Sequence, residues 1–169
     1  MKLTLRIFQW LIILPLHILA ILARYPLAPL AVVLFSSKDK RTLRHPFHWL
    51  QTDDADLSGD SGWKKEHLKP GVDPLSTWNR IRWLWRNGAQ SFNYRVIGCR
   101  DNMPWRQSSK LLRGKQSFWH RPDGYWLWRS FTPLFGRYLE VFIGWGLFGH
   151  VLDRCKFVCT IRLAKTNKS

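Results

Sequence analysis

From Ile7 to Phe35 the sequence reads IFQWLIILPLHILAILARYPLAPLAVVLF, interrupted only by the polar residues Gln9, His17 and Arg24. A run of this kind must leave water, and it constrains the chain more than any other segment. As one helix it would be about 43 Å long at 1.5 Å per residue, more than the roughly 30 Å of a bilayer's hydrocarbon core. Arg24, Pro26 and Pro29 divide it into Ile7 to Ala23, at the lower limit of a spanning helix, and Tyr25 to Phe35, too short to cross unaided. Pro15 predicts a kink in the first piece. Two geometries follow: one tilted span with Arg24 snorkelling at its end, or a re-entrant helical hairpin turning near Arg24 to Pro29. Lys2 and Arg6 before the apolar run also suit a secretory signal peptide, but Arg24 and Tyr25 follow Ala20 to Ala23 and spoil the cleavage site. A buried helix pair of a soluble protein is the remaining alternative.

Charge is distributed very unevenly around this segment. The chain has 27 Lys and Arg against 11 Asp and Glu, and of these only Lys2, Arg6 and Arg24 lie before Ser36. Lys38, Lys40, Arg41 and Arg44 follow the apolar run directly and outnumber the basics before it, so the positive-inside rule places the polar part in the cytoplasm. Near anionic lipid each of the four would add about 1 kcal/mol of attraction. The 11 tryptophans exceed what one core needs and favour a membrane-water interface, where the ring is buried and the N–H stays wet. Trp10 is the candidate within the apolar run. Tryptophan also stacks on bases, so nucleic acid is the second polyanionic partner that the composition allows.

The acidic residues cluster in TDDADLSGDSG, from Thr52 to Gly62. With Asp54 in first place, Asp56, Ser58 and Asp60 fall on alternating positions around Gly59, the opening of an EF-hand-type calcium loop. The closing position is Lys65, and Glu66 comes one residue late, so the bidentate carboxylate is missing. The expectation is a solvated acidic turn, with Ca2+ held by Asp54, Asp56, Ser58 and Asp60 as the metal alternative. His45 and His48 stand three apart without a third ligand nearby. Glu66 and His67, with Asp60 as orienting group, would make an acid-base pair only on an irregular backbone.

Ser76 to Gly88, STWNRIRWLWRNG, predicts a helix capped by Ser76 or Thr77 and closed by Gly88. Trp78, Ile81, Leu84 and Trp85 form an apolar stripe, with Arg80, Arg82 and Arg86 mainly off it; such a helix can lie at a membrane interface, with Trp78, Arg80, Ile81 and Trp85 in contact, or pack on its own core. Phe92 to Cys99 alternates apolar residues. Tyr125 to Phe131, Arg137 to Trp145 and Lys156 to Leu163 are rich in aromatic and β-branched residues and separated by turn formers, which predicts a small antiparallel meander. Arg129, Arg137 and Arg162 alternate with its aromatics and suggest a basic sheet face. The expected class is therefore α+β: an N-terminal membrane helix or re-entrant hairpin over 1–35, an irregular linker over 36–75, a Trp-rich domain with one amphipathic helix and a meander over 76–163, and a disordered tail over 164–169. Cys99, Cys155 and Cys159 form no CxxC pair, and their odd number fits a reducing compartment.

Taken together, PLAPLAVVLF, GDSGW, RIRWLWRNG followed by SFNYRV, and RYLEVFIGW resemble a family of small uncharacterised proteins of tailed bacteriophages, over about Tyr25 to Leu163. The resemblance implies a product made in an infected bacterium and held at its inner membrane, and it carries no catalytic residue across. Three functions are compatible with the sequence. The favoured one is a membrane-associated accessory or host-interaction protein, with anionic lipid and a host or phage membrane protein as partners. The second is a nucleic-acid-binding protein tethered at the membrane. The third is a metal-dependent enzyme built on the Asp-rich loop, for which no nucleophile, P-loop or zinc motif is present.

Overall fold

The computed structural model describes residues 1–87, 89–108, 116–146 and 153–164. It is an α+β protein with one long apolar helix, short helices and a six-stranded antiparallel sheet. Two compact units share the chain: Met1–Pro15 with Ile97–Ser169, and Leu16–Val96. Helix α1, Lys2–Leu34, contributes to both.

α1 is unbroken, so of the two geometries open to the apolar run the single helix is formed and the hairpin turning near Arg24 to Pro29 is not. Each internal proline removes one N–H from the helical ladder. Pro29 would have served the carbonyl of Tyr25, and the Trp85 indole Nε1 donates to that oxygen instead, at 3.1 Å. Around and past Pro29, Ala28, Ala31 and Val32 are buried in the core of the second unit, and this packing holds the last turns helical.

In the second unit that core gathers Leu43, Leu50, Leu57, Trp63, Ile81, Trp83 and Leu84 around the end of α1. It is assembled from a 3-10 turn (Phe47–Leu50), α2 (Ser61–His67), α3 (Thr77–Asn87) and α4 (Gln90–Arg95). α3 forms where its sequence predicts it; Gly88, expected to close it, lies outside the described residues. The alternation of Phe92 to Cys99 does not produce a strand throughout, because α4 takes residues through Arg95 and only Cys99 enters the sheet. Asp53 anchors α4, its Oδ1 accepting from Ser91 Oγ at 3.2 Å and Arg95 Nε at 3.0 Å.

In the first unit β2 (Arg106–Gln107), β3 (Gln116–His120), β4 (Trp126–Leu134), β5 (Arg137–Gly146) and β6 (Arg154–Ala164) form a meander. β1 (Cys99–Arg100) pairs with β6 at the other edge, giving the order β1-β6-β5-β4-β3-β2. The three strands legible in the sequence are β4, β5 and β6; β1 to β3 were not expected. From Lys165 on, the tail expected to be disordered lies outside the described residues. Gly144 is required where β4 and β5 meet, since a Cβ there would lie 2.3 Å from the Trp126 carbonyl oxygen. The core of this unit is aromatic: Trp10 stacks on Phe157 with centroids 5.5 Å apart, and Trp126 and Trp145 pack edge to face. Trp10 Nε1 donates to Val158 O at 3.2 Å, and Trp145 Nε1 to Ile97 O at 3.1 Å.

Trp83 is 2% exposed and its indole N–H has no hydrogen-bond partner. Trp83→Ala is expected to cost about 3–5 kcal/mol in chemical unfolding. Trp83→Phe should cost far less, because it also removes a buried unpaired donor.

Candidate functional site

The most unusual surface is the outer side of α1. A helix on a water-soluble protein buries its apolar stripe and exposes its polar residues. Here the arrangement is inverted: between Leu5 and Leu34 every exposed residue is aliphatic, aromatic or proline, and none of Arg6, Gln9, His17 and Arg24 is exposed. Leu5, Phe8, Ile12 and Leu19 are each more than 60% exposed.

The polar residues of α1 find partners on the helix itself or in the unit that each one joins. In the first unit Arg6 donates to Gln9 Oε1 at 2.5 Å and lies 4.1 Å over the Tyr125 ring. In the second, buried His17 shares a 2.9 Å hydrogen bond with the Asn93 side-chain oxygen, and Arg24 donates to Tyr25 Oη at 3.1 Å. Trp10, expected at a membrane interface, is instead 6% exposed inside the aromatic core.

After α1, Lys38, Lys40, Arg41 and Arg44 are exposed on a short loop closed by a bridge between Ser36 and Leu43. Arg41 is committed to Asp56 at 2.6 Å. The α3 residues also serve the second unit. Ile81 and Arg80 are buried, Arg80 donating to Ser36 Oγ at 2.6 Å, and Trp85 is half-buried against Tyr25. Arg82 and Arg86 both stand over the Trp63 ring. Of the expected interfacial set on this helix, Trp78 alone is exposed.

In the acidic loop Asp56 Oδ1 accepts from Ser58 N at 2.8 Å, Asp60 Oδ1 caps α2 through Trp63 N at 2.6 Å, Asp54 is exposed and Ser58 is buried. Gly59 has a positive φ that allows Trp63 to close over it. These bonds are those of a turn leading into a capped helix. Among the described residues no group of three or more His, Cys, Asp or Glu side chains is placed to hold a metal ion. Glu66 and His67 are exposed neighbours 3.6 Å apart, with Arg86 also 3.6 Å from Glu66.

Sequence reading missed a buried polar cluster in the first unit. Arg121, whose side chain is 1% exposed, donates to Arg100 O at 2.6 Å and Asn102 Oδ1 at 3.1 Å and pairs with Asp123 at 2.5 Å and Asp101 at 3.7 Å. Its Nη1 lies 4.0 and 3.8 Å from the sulfurs of Cys99 and Cys155, which are opposed in the β1/β6 register. Burial is the largest single influence and works against the charge on Arg121, but the hydrogen bond to Asp123, together with the attraction of Asp123 and of the Cys99 and Cys155 sulfurs, outweighs it and holds the guanidinium pKa above its ordinary value. The Cys99 thiol is pushed well up by its hydrogen bond with Cys155 and by burial, so it stays protonated and unreactive. A polar cavity of about 340 Å³ opens beside the cluster, lined in part by Cys99, Arg100, Arg121 and Tyr125. With its carboxylates spent on Arg121, the cluster ties β1 and the turn after it to the β3–β4 turn. The only signal in the sequence was the RPDG turn itself.

A family model matches residues 1–169 of the chain. The chain belongs to DUF7338, a family of unknown function. No curated protein and no solved structure matches it. Within this family member the outward surface of α1 is the feature that internal packing leaves unaccounted for.

Removing Arg121 takes the cation away from two half-buried carboxylates, and Arg121→Met is expected to lower stability by about 3 kcal/mol in chemical unfolding. The Asp56 carboxyl sits below its ordinary value of 3.8: partial burial raises it, and the Ser58 hydrogen bonds and Arg41 more than reverse this. Its folded pKa is the lower one, so its contribution is present above 3.8 and lost as pH falls through the folded value. Asp56→Asn should therefore flatten the acid limb of melting temperature against pH while leaving neutral-pH dependence unchanged.

Proposed function

We propose that the protein is a membrane-associated accessory or host-interaction protein that lays the outer side of α1 in lipid. The inverted polarity of α1 carries this reading. Withdrawing a fully exposed Leu, Ile or Phe side chain from water is worth about 1.5 to 3 kcal/mol, and between Leu5 and Leu34 α1 offers more than ten such residues, each 39 to 67% exposed, with no charged residue exposed among them.

The geometry favours lying in the interface over crossing. A helix of 33 residues is about 50 Å long; its Lys2–Pro15 part packs Trp10 and Arg6 into the first unit, and its Leu16–Leu34 part packs His17, Ala28, Ala31 and Val32 into the second. A perpendicular crossing would draw those polar surroundings into hydrocarbon, whereas an in-plane helix buries only its apolar side. The exposed Lys38, Lys40 and Arg44 at its end suit anionic headgroups. Resemblance to phage proteins supports the inner membrane of an infected bacterium as the setting, and the charge bias supports the cytoplasmic side.

Fractionation tests the proposal. The wild-type chain is expected to stay in the membrane fraction through a high-salt wash and to dissolve in detergent. Ile12→Glu with Leu19→Glu, at two positions that face outward, should move it to the soluble fraction with its melting temperature little changed. Release of the wild type by salt alone would refute the reading.

A further inference from the structure

The sheet of the first unit is as asymmetric as the helix. Side chains two apart on a strand share a face, and the registers place Phe118, Trp128, Ile143 and Cys159 in one row, then Gln116, Ser130, Val141 and Ile161, then Thr132, Leu139 and Leu163. In the described strands β3 to β6 this face carries one Lys, Arg, Asp or Glu, Arg137, at its far end. The opposite face carries Arg129, Glu140, Arg154, Lys156 and Arg162, with Glu140 bonded to Arg162 at 2.6 Å and to Arg129 at 3.4 Å. The basic face expected from Arg129, Arg137 and Arg162 is thus formed by the first and last of these, with Arg137 on the other side.

Trp10 of α1 sits on Phe157, which shares its face with Cys159, Ile161 and Leu163. The first turns of α1 therefore lie on the apolar face, and that face continues past them, with Ile161 67% and Leu163 53% exposed. It ends at the β4–β5 hairpin, where Phe135 is 96% exposed. Phe135 has a φ of 49° and Gly136 of 71°, the left-handed pair of a tight hairpin turn that Asn-Gly fills without strain. A bulky aromatic residue there costs stability, and folding gains nothing from a ring that touches almost nothing.

We infer that this apolar sheet face and the Phe135 hairpin tip form a second lipid-contacting surface, which enters the same anionic bilayer interface as α1. The inference rests on the proposed membrane role of α1. Lipid is the occupant that fits, because the face is continuous with the side on which α1 lies and its single rim charge, Arg137, is placed to reach a headgroup phosphate. The remaining charges are turned to the water side.

Depth-dependent quenching in the full-length chain tests it. In a Cys159→Ala background, whose two other thiols are buried, a fluorophore is attached to Phe135→Cys, to Ile12→Cys on α1, or to Lys65→Cys on the exposed side of α2. Each protein is bound to phosphatidylethanolamine–phosphatidylglycerol vesicles carrying an acyl-chain spin label. Quenching at position 135 comparable to that at 12, and several-fold above that at 65, is the expected result. Quenching at 12 with position 135 no different from 65 would overturn the second surface and leave the α1 reading intact. Quenching at neither would overturn both. Shielding of 135 from an aqueous quencher without lipid quenching would assign the face to a protein partner and equally overturn it. Phe135→Asn, which the turn accepts, should keep or raise the melting temperature while reducing vesicle partitioning several-fold; unchanged partitioning would count against the tip.

Discussion

The rest of the structure depends on how α1 disposes of its few polar side chains. None of Arg6, Gln9, His17 and Arg24 is exposed, and His17 is buried. His17 meets Asn93, and Arg6 rests on Tyr125. The outward side is then apolar without interruption, a surface that water does not stabilise. The two units are also obliged to offer partners to the inner side. The aromatic core around Trp126, Trp145 and Phe157 receives Trp10, and the α3 core receives Ala28, Ala31 and Val32.

Much of this was legible in the sequence, and the boundary of legibility has a physical cause. Periodicity showed α3 and the three long strands, because each has enough residues for its pattern to stand out. Short β1, β2 and β3 offer too few. The prolines of α1 read as a break because local propensity counts the missing N–H and cannot see Trp85 supplying a replacement donor. In α3 the stripe was drawn through Trp78, which is exposed, and missed Trp83, which is buried against Trp63. The arginines that looked available for lipid or nucleic acid are largely occupied: Arg80 by Ser36, and Arg82 and Arg86 by the Trp63 ring.

The candidate surfaces divide in the same way. The apolar run announced itself, but which of its residues face outward depends on partners far along the chain. The Arg121 cluster was hidden for a similar reason. Asp101, Asp123, Cys99 and Cys155 are unremarkable singly, and they come together only because β1 pairs with β6 and the RPDG turn points back at them. Likewise, the segregation of charge between the two sheet faces follows from register, which spacing along one strand cannot reveal.

One consequence follows from the sequence distances spanned by α1. His17 finds its partner 76 residues later, whereas Trp10 waits 148 residues for Val158. During synthesis the partner of Leu16–Leu34 is therefore made well before that of Lys2–Pro15. For that interval the front of the helix has no sheet to cover Trp10 and Arg6. Order of assembly on the ribosome would then have the later turns of α1 packed before the sheet exists, leaving the sheet to close onto a helix already in place.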